Sequence, residues 1–208
     1  MLYVNKPNNS NPHSPAGEVS SPVLVLIRGL PGSGKSHIAE GIRATMGERT
    51  VVVDPDKIPY DGEEYTEFSD SLSKEGVDAK LYPYRFLRSN AYGAIRHDKV
   101  VVWNQAFTNL YIFNRTILNL QEYAKDHGRS LPVVVVEVDI DHETAKNRVS
   151  DRVSKGGHDV PEDRFTKFID EYKSFVDEGH EVVSVHGEDD VDLSVKTVVD
   201  AIDKARSA

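Results

Sequence analysis

Eight consecutive residues carry the clearest chemistry in the chain: Gly29-Leu30-Pro31-Gly32-Ser33-Gly34-Lys35-Ser36 satisfies the pattern G-x-x-x-x-G-K-[ST]. Glycines at this spacing let backbone N–H groups curl around phosphate oxygens, in conformations a Cβ resists. Lys35 is placed to reach the β- and γ-phosphates of a nucleotide, and Ser36 to offer its hydroxyl to Mg²⁺. A helix opening at Lys35 directs the positive end of its dipole at the same anion.

Two carboxylates follow in Val51-Val52-Val53-Asp54-Pro55-Asp56. They fall at the carboxyl end of a short apolar run, the edge at which open α/β sheets bind ligands. One carboxylate is expected to orient or deprotonate an attacking hydroxyl, and the other to serve the metal through water. Asp56 is the preferred base and Asp54 the preferred metal and acceptor contact, although spacing alone leaves their order open. The run Val100-Val101-Val102-Trp103 ends in Asn104-Gln105, where a metal-binding carboxylate is common. These amides can bond a metal-bound water or the acceptor but supply no charge, which moves metal duty to Ser36 and to Asp54 or Asp56. Trp103 itself is expected in the core.

Arg148 and Arg152 share one helical face at i, i+4. Gly156-Gly157-His158 then interrupts the helix, Pro161 restarts it, and Arg164 follows one turn later. A glycine-hinged loop between two arginine-bearing helices suits a lid: guanidinium groups clamp transferring phosphate oxygens, and closure excludes water. His158 and Arg164 are candidate acceptor contacts, as are Arg85 and Arg88, one turn apart on an earlier helix.

The elements that must position these groups alternate along the chain. Val23 to Ile27 is a continuous apolar run bounded by Pro22 and Gly29, the pattern of a strand buried on both faces. A helix follows from Lys35 to about Thr45, and a strand at Val51 to Val53. The acidic segment 59–78 reads as loop-rich. Further helices are expected at 79–97, 109–126, 142–154 and 162–177, with strands at 99–103, 133–138 and 181–185. An amphipathic helix carrying Val191, Val195, Val198, Val199 and Ile202 closes the chain. Alternation of this kind means an α/β fold with a mainly parallel sheet. Residues 1–22, rich in Asn, Pro and Ser, read as a flexible tail, and 23–208 as one domain.

Composition narrows the function. The 208 residues hold 34 acidic and 25 basic side chains, a net charge of −9, which disfavours nucleic acid and acidic membranes as partners. Zero cysteines exclude disulfides, thiolate metal sites and cysteine nucleophiles. No apolar run is long enough for a membrane span, and the first residues lack a secretory pattern, so a soluble cytoplasmic protein is the expectation.

On Gly29 to Ser36, Asp56, Arg148, Arg152 and Gly156-Gly157-His158-Asp159-Val160-Pro161, the chain resembles the zeta-toxin-like branch of P-loop kinases. The resemblance spans residues 23 to about 165. It implies a three-layer fold with a five-stranded parallel sheet of order 2-3-1-4-5 and a short arginine-bearing lid. It also implies ATP as phosphate donor and Mg²⁺ as cofactor. In the zeta toxins the acceptor is an activated amino sugar and the aspartate matching Asp56 is the base; a neutralising, antitoxin-like protein partner belongs to the same implication. The chain departs from the pattern at Asn104, Gln105 and its substrate helix, so the acceptor does not carry over. The leading reading is an ATP-dependent kinase of a small hydroxyl compound, with Lys35, Asp56, Arg148 and Arg152 as catalytic groups. A 5′-hydroxyl polynucleotide kinase, which needs a basic groove, and an ATP-binding switch stay open beside it.

Overall fold

The computed structural model describes residues 21–157, 159–176 and 181–207. Five strands form one parallel sheet in the order β2-β3-β1-β4-β5: β1 (Val23–Gly29), β2 (Thr50–Val53), β3 (Val100–Asn104), β4 (Val133–Asp139) and β5 (Val182–His186). All seven residues of the central β1 are buried, because helices cover both faces of the sheet.

The period of two along a strand divides β1 between two cores. Leu24 and Leu26 join Val53, Val101 and Trp103 beneath helices α2 (Glu63–Lys74), α3 (Tyr82–Arg96) and α4 (Leu110–Asp126). Val23, Val25 and Ile27 pack on the opposite side, against Ile38, Ile42 and Met46 of α1 (Lys35–Met46) and Val195, Val198 and Ile202 of α7 (Val191–Arg206). The result is the three-layer α/β fold with the strand order the family resemblance implied. Trp103 is in the core as expected.

Between β4 and β5 lie α5 (His142–Ser154) and α6 (Glu162–Glu171). They share a small core of their own, in which Ala145 and Val149 meet Phe165. Below this pair, Arg28 of β1 and Glu137 of β4, paired in the sheet register, form a buried ion pair. The Arg28 guanidinium lies 4.2 Å from the Tyr172 ring centroid and 3.6 Å from that of Phe175, and donates to the Lys173 carbonyl at 2.7 Å. Glu137 accepts from the Ser174 hydroxyl at 2.8 Å and the Phe175 N–H at 2.6 Å. The chain after α6 is thereby fastened to the middle of the sheet.

Three expectations about elements are corrected. The segment 59–78 contains α2, whose Tyr65, Phe68 and Leu72 pack inward at helical spacing although its other positions are mostly polar. The expected helix 79–97 is a short 3-10 turn over Ala79–Leu81 followed by α3, with Pro83 in the first turn, where its missing N–H costs nothing. The expected helix 162–177 stops at Glu171, because the extended Tyr172 turns the chain toward Arg28 and Glu137. Of the tail expected at 1–22, residues 1–20 lie outside the described residues; the Ser21 carbonyl accepts a bond from Arg206 of α7 at 3.3 Å. Among the described residues no helix is long and apolar enough to cross a membrane.

Candidate functional site

The phosphate loop joins β1 to α1 at the carboxyl edge of the sheet, and its shape depends on two glycines above all. Gly32 has φ 84°, in the left-handed region, and a Cβ there would press into the Ala145 carbonyl of α5. A Cβ on Gly29 would stand 2.6 Å from the Val138 carbonyl oxygen. Leu30 is buried beneath the loop, and Pro31, Ser33 and Gly34 line the cavity above it. The half-buried Lys35 curls back so that its ammonium donates to the carbonyls of Gly29 at 2.9 Å and Leu30 at 2.8 Å. Burial brings its pKa down from 10.5 to about 8; Asp56 and then Asp54 oppose that shift, and Arg152 adds to it. Lys35 thus lies within the field of three of the residues singled out from sequence.

The order of the two aspartates, open in the sequence, is separated by a turn. Pro55–Lys57 is a single 3-10 turn capped by Asp54, whose Oδ1 accepts from the Asp56 N–H at 3.0 Å. Asp54 is consequently buried, while Asp56 is exposed and lines the cavity. The other oxygen of Asp54 accepts from Asn104 Nδ2 at 2.8 Å, and the same amide lies 3.1 Å from Ser36 Oγ as donor. Asn104, at the end of β3, therefore ties the metal-candidate hydroxyl to the metal-candidate carboxylate.

These groups suit Mg²⁺. Ser36 Oγ, Asp54 and the buried Asn104 Oδ1, which has no hydrogen-bond partner, make an all-oxygen set of the hard-cation type. Among the described residues no cluster of three or more His, Cys, Asp or Glu side chains could hold a metal by itself. A single carboxylate with a hydroxyl matches an ion that keeps several waters and takes its remaining ligands from phosphates.

The cavity over the loop has a volume of about 1080 Å³. Arg148 and Arg152 of α5 and Arg164 of α6 all line it, as does Lys155. With Lys35 they make five cations among the described residues, matched in number by Asp56, Asp151, Asp159, Glu188 and Asp189 on the same lining. Arg148 donates to the Gly187 carbonyl at 2.8 Å, and the Gly187 N–H donates to the Asp139 carbonyl at 2.7 Å. This turn between β5 and α7 packs against the phosphate loop: a Cβ on Gly187 would collide with the Ser33 carbonyl. Sequence reasoning passed over Gly187, for which a lone glycine after the last strand was the only signal.

Arg85 and Arg88 are not brought to the site. Neither lines the cavity; Tyr84, from the same helix, does. Which face α3 presents is set by Phe86, Leu87, Ala91 and Ile95 packing on the sheet, and that face leaves Arg85 exposed. Asn104 is central, as described, and the stretch after it, Gln105 to Asn109, forms one wall. Sequence reasoning had taken Asn104 and Gln105 and nothing beyond them. The candidate contact His158 lies outside the described residues.

A family model described as an AAA domain matches residues 24–175. No curated protein matches the chain. Among solved structures, a gluconokinase from Sinorhizobium meliloti 1021 is similar at TM-score 0.55 and 16% identity, over 88% of this chain and 93% of that one. Chaetomium thermophilum Kti12 in complex with ADP-AlF3 aligns at TM-score 0.58 and 17% identity, over 89% and 100%. A sugar kinase from Janibacter sp. HTCC2649 aligns at 0.52 and 17%, over 90% and 97%. At these identities the likeness is one of fold, the P-loop kinase fold with sheet order 2-3-1-4-5.

Proposed function

The chain belongs to the AAA domain family, and from that membership and its cavity we propose that it is an ATP-dependent phosphotransferase moving the γ-phosphate of Mg-ATP to a hydroxyl of a small acceptor. The observation that carries the reading is the placement of Asp56 in the same cavity as Lys35 and the arginines of α5. Of the five carboxylates on the lining, Asp56 is the one whose charge acts most strongly on Lys35, which is where the base for a hydroxyl acceptor belongs.

In this reading the loop N–H groups and Lys35 hold the β- and γ-phosphates, with the Lys35 ammonium leaving its contacts to the Gly29 and Leu30 carbonyls for phosphate oxygens. Mg²⁺, when bound, neutralises phosphate charge; Ser36 and Asp54 would hold it, with Asn104 fixing both. Asp56 takes the proton of the acceptor hydroxyl as its oxygen bonds to the γ-phosphorus. The bond from that phosphorus to the bridging oxygen breaks, and ADP leaves with the electron pair. Arg148 and Arg152 stabilise the charge spread over the transferring oxygens. The α5–α6 pair closes over the site and excludes water. An activated amino sugar, the acceptor in the zeta toxins, is the sharpest form of this proposal.

ADP release from Mg-ATP, measured with and without nucleosides, sugars, amino-sugar nucleotides and a 5′-hydroxyl oligonucleotide, tests it. Stimulation by one acceptor, lost in Asp56→Asn and Lys35→Ala, is the expected outcome. Tight ATP binding with no stimulated turnover across the panel would favour a nucleotide-dependent switch instead, and undiminished binding in Lys35→Ala would remove the site assignment itself.

A further inference from the structure

The sheet order divides the cavity at the phosphate loop. On the β4–β5 side stand Arg148 and Gly187; on the β3–β2 side stand Asp56, Asn104 and residues 105–109. Helix α6 brings Arg164 and Phe168 to the same cavity. The wall 105–109 and α6 lie far apart in the chain, yet one row of aromatic rings joins them behind the lining.

The row starts at a strained residue. Phe107 lines the cavity, is 3% exposed and has φ 47°, in the left-handed region, where a bulky side chain persists only if its surroundings enforce it. Its ring packs edge-on against Phe113 of α4, with centroids 5.5 Å apart. Phe113 lies 4.3 Å from Phe175 between centroids, and the Phe175 ring lies 3.6 Å from the Arg28 guanidinium. Phe113, Phe175 and Arg28 are buried and stand off the cavity lining, so they act on a ligand only through other residues. Arg28 holds the Lys173 carbonyl at 2.7 Å, and Glu137 accepts from the Phe175 N–H at 2.6 Å and the Ser174 hydroxyl at 2.8 Å. Tyr172 to Phe175 is the segment that directly follows α6. The end of α6 is therefore held by the ion pair on one side and by the Phe107–Phe113 contact on the other.

Phe107 has a more comfortable backbone available at negative φ, and moving to it would draw the ring off Phe113. A close-packed interior does not keep such a gap, so Phe113 and Phe175 would shift to fill it and the end of α6 would loosen. The same argument runs backwards: if Phe175 leaves its seat, Phe113 no longer pins the Phe107 ring. We propose that Phe107, Phe113 and Phe175 are positioning residues that couple the wall 105–109 to α6. The wall keeps its shape only while α6 is fastened, and Arg164 and Phe168 keep their place only while the wall does. One consequence rests on the phosphotransfer reading: a broken row lets water, in place of the acceptor hydroxyl, take the γ-phosphoryl group of Mg-ATP.

Contiguity is not coupling, but each end of the row carries its own reporter, so the coupling itself is measurable. Trp103 is the only tryptophan of the chain, and its Nε1–H donates to the Gln105 carbonyl oxygen at 3.1 Å, so its fluorescence reads the wall. Hydrogen exchange of the Phe175 amide reads the end of α6. Phe107→Leu, which loses the edge-on contact, should speed that exchange by about tenfold or more. Phe175→Leu should shift the Trp103 emission, and the two substitutions together should act less than additively. Should Phe175→Leu fail to fold, Ser174→Ala removes only the hydroxyl bond to Glu137 and carries the same expectation for Trp103. Val198→Ala, in the core on the other face of the sheet, is the control for general loosening, compared in urea at equal unfolding free energy. ADP release from Mg-ATP should rise without acceptor and fall with it in Phe107→Leu, whereas general damage lowers both. Phe175 exchange unchanged in Phe107→Leu, or Trp103 unmoved by the variants at the end of α6, overturns the proposal and leaves phosphotransfer standing. An equal response to Val198→Ala, or a parallel fall of both ADP-release rates, also overturns it. Reporters that respond in a protein releasing no ADP with any acceptor refute phosphotransfer and leave the coupling intact.

Discussion

Lys35 makes nucleotide binding depend on pH in a direction and range that follow from its surroundings. Burial lowers its pKa to about 8, against the pull of Asp56 and Asp54. A bound triphosphate brings several negative charges to the ammonium and restores its pKa to the ordinary range near 10.5 or above. The complex therefore holds more protons than the free protein between these values, and affinity must fall as pH rises. Linkage gives uptake of roughly 0.1 proton at pH 7, about half at pH 8 and roughly 0.9 at pH 9. The association constant then drops about tenfold from pH 7 to pH 9, or about 1.4 kcal/mol. A terminal phosphate that titrates near pH 6 is already ionised over this range, so it does not confound the slope. Calorimetric titration with Mg-ADP at pH 8, in two buffers of different ionisation enthalpy, reads the uptake directly. Lys35→Met should bind weakly and take up none. A Kd that is flat from pH 7 to 9, with no buffer-dependent heat, would refute either the desolvated state of Lys35 or its contact with phosphate.

Other substitutions separate neighbouring roles. Asp54→Ala strands the Asn104 amide and the Asp56 N–H, and should cost about 1–3 kcal/mol in urea unfolding. Asp56→Ala, at an exposed position, should change stability by no more than about 0.5 kcal/mol while abolishing acceptor-stimulated ADP release. Gly32→Ala forces a left-handed residue with its Cβ against Ala145 and should lower Mg-ADP affinity by about tenfold or more with the circular dichroism spectrum unchanged. Arg28→Met leaves Glu137 buried without its cation, for a loss of about 3–5 kcal/mol, and adding Glu137→Met should recover most of it in the same unfolding assay.

The sequence alone determined whatever is local. The phosphate loop is legible because its ligands are backbone N–H groups, and eight contiguous residues prescribe that backbone; the apolar run before it and the helix after it complete the unit. The shared helical face of Arg148 and Arg152 follows from spacing for the same reason. Strand order did not come from periodicity; it came with the family resemblance. Tertiary structure decided the rest. Asp54 and Asp56 are alike as residue types, and only a one-turn cap and the Asn104 amide, fifty positions away, bury one and expose the other. The acidic composition of residues 59–78 hid α2, whose helical signal amounts to Tyr65, Phe68 and Leu72. Arg85 and Arg88 lie on a real helix, but only Tyr84, near its start, reaches the cavity, a placement that spacing within the helix could not give. Arg28 is a charge inside an apolar strand, and nothing near it in the chain says why. Its partner is 109 residues distant, brought beside it because β1 and β4 are neighbours in register. Propensity and spacing act over a few residues, whereas burial, charge pairing and the two halves of the cavity depend on which strands the folded sheet places side by side.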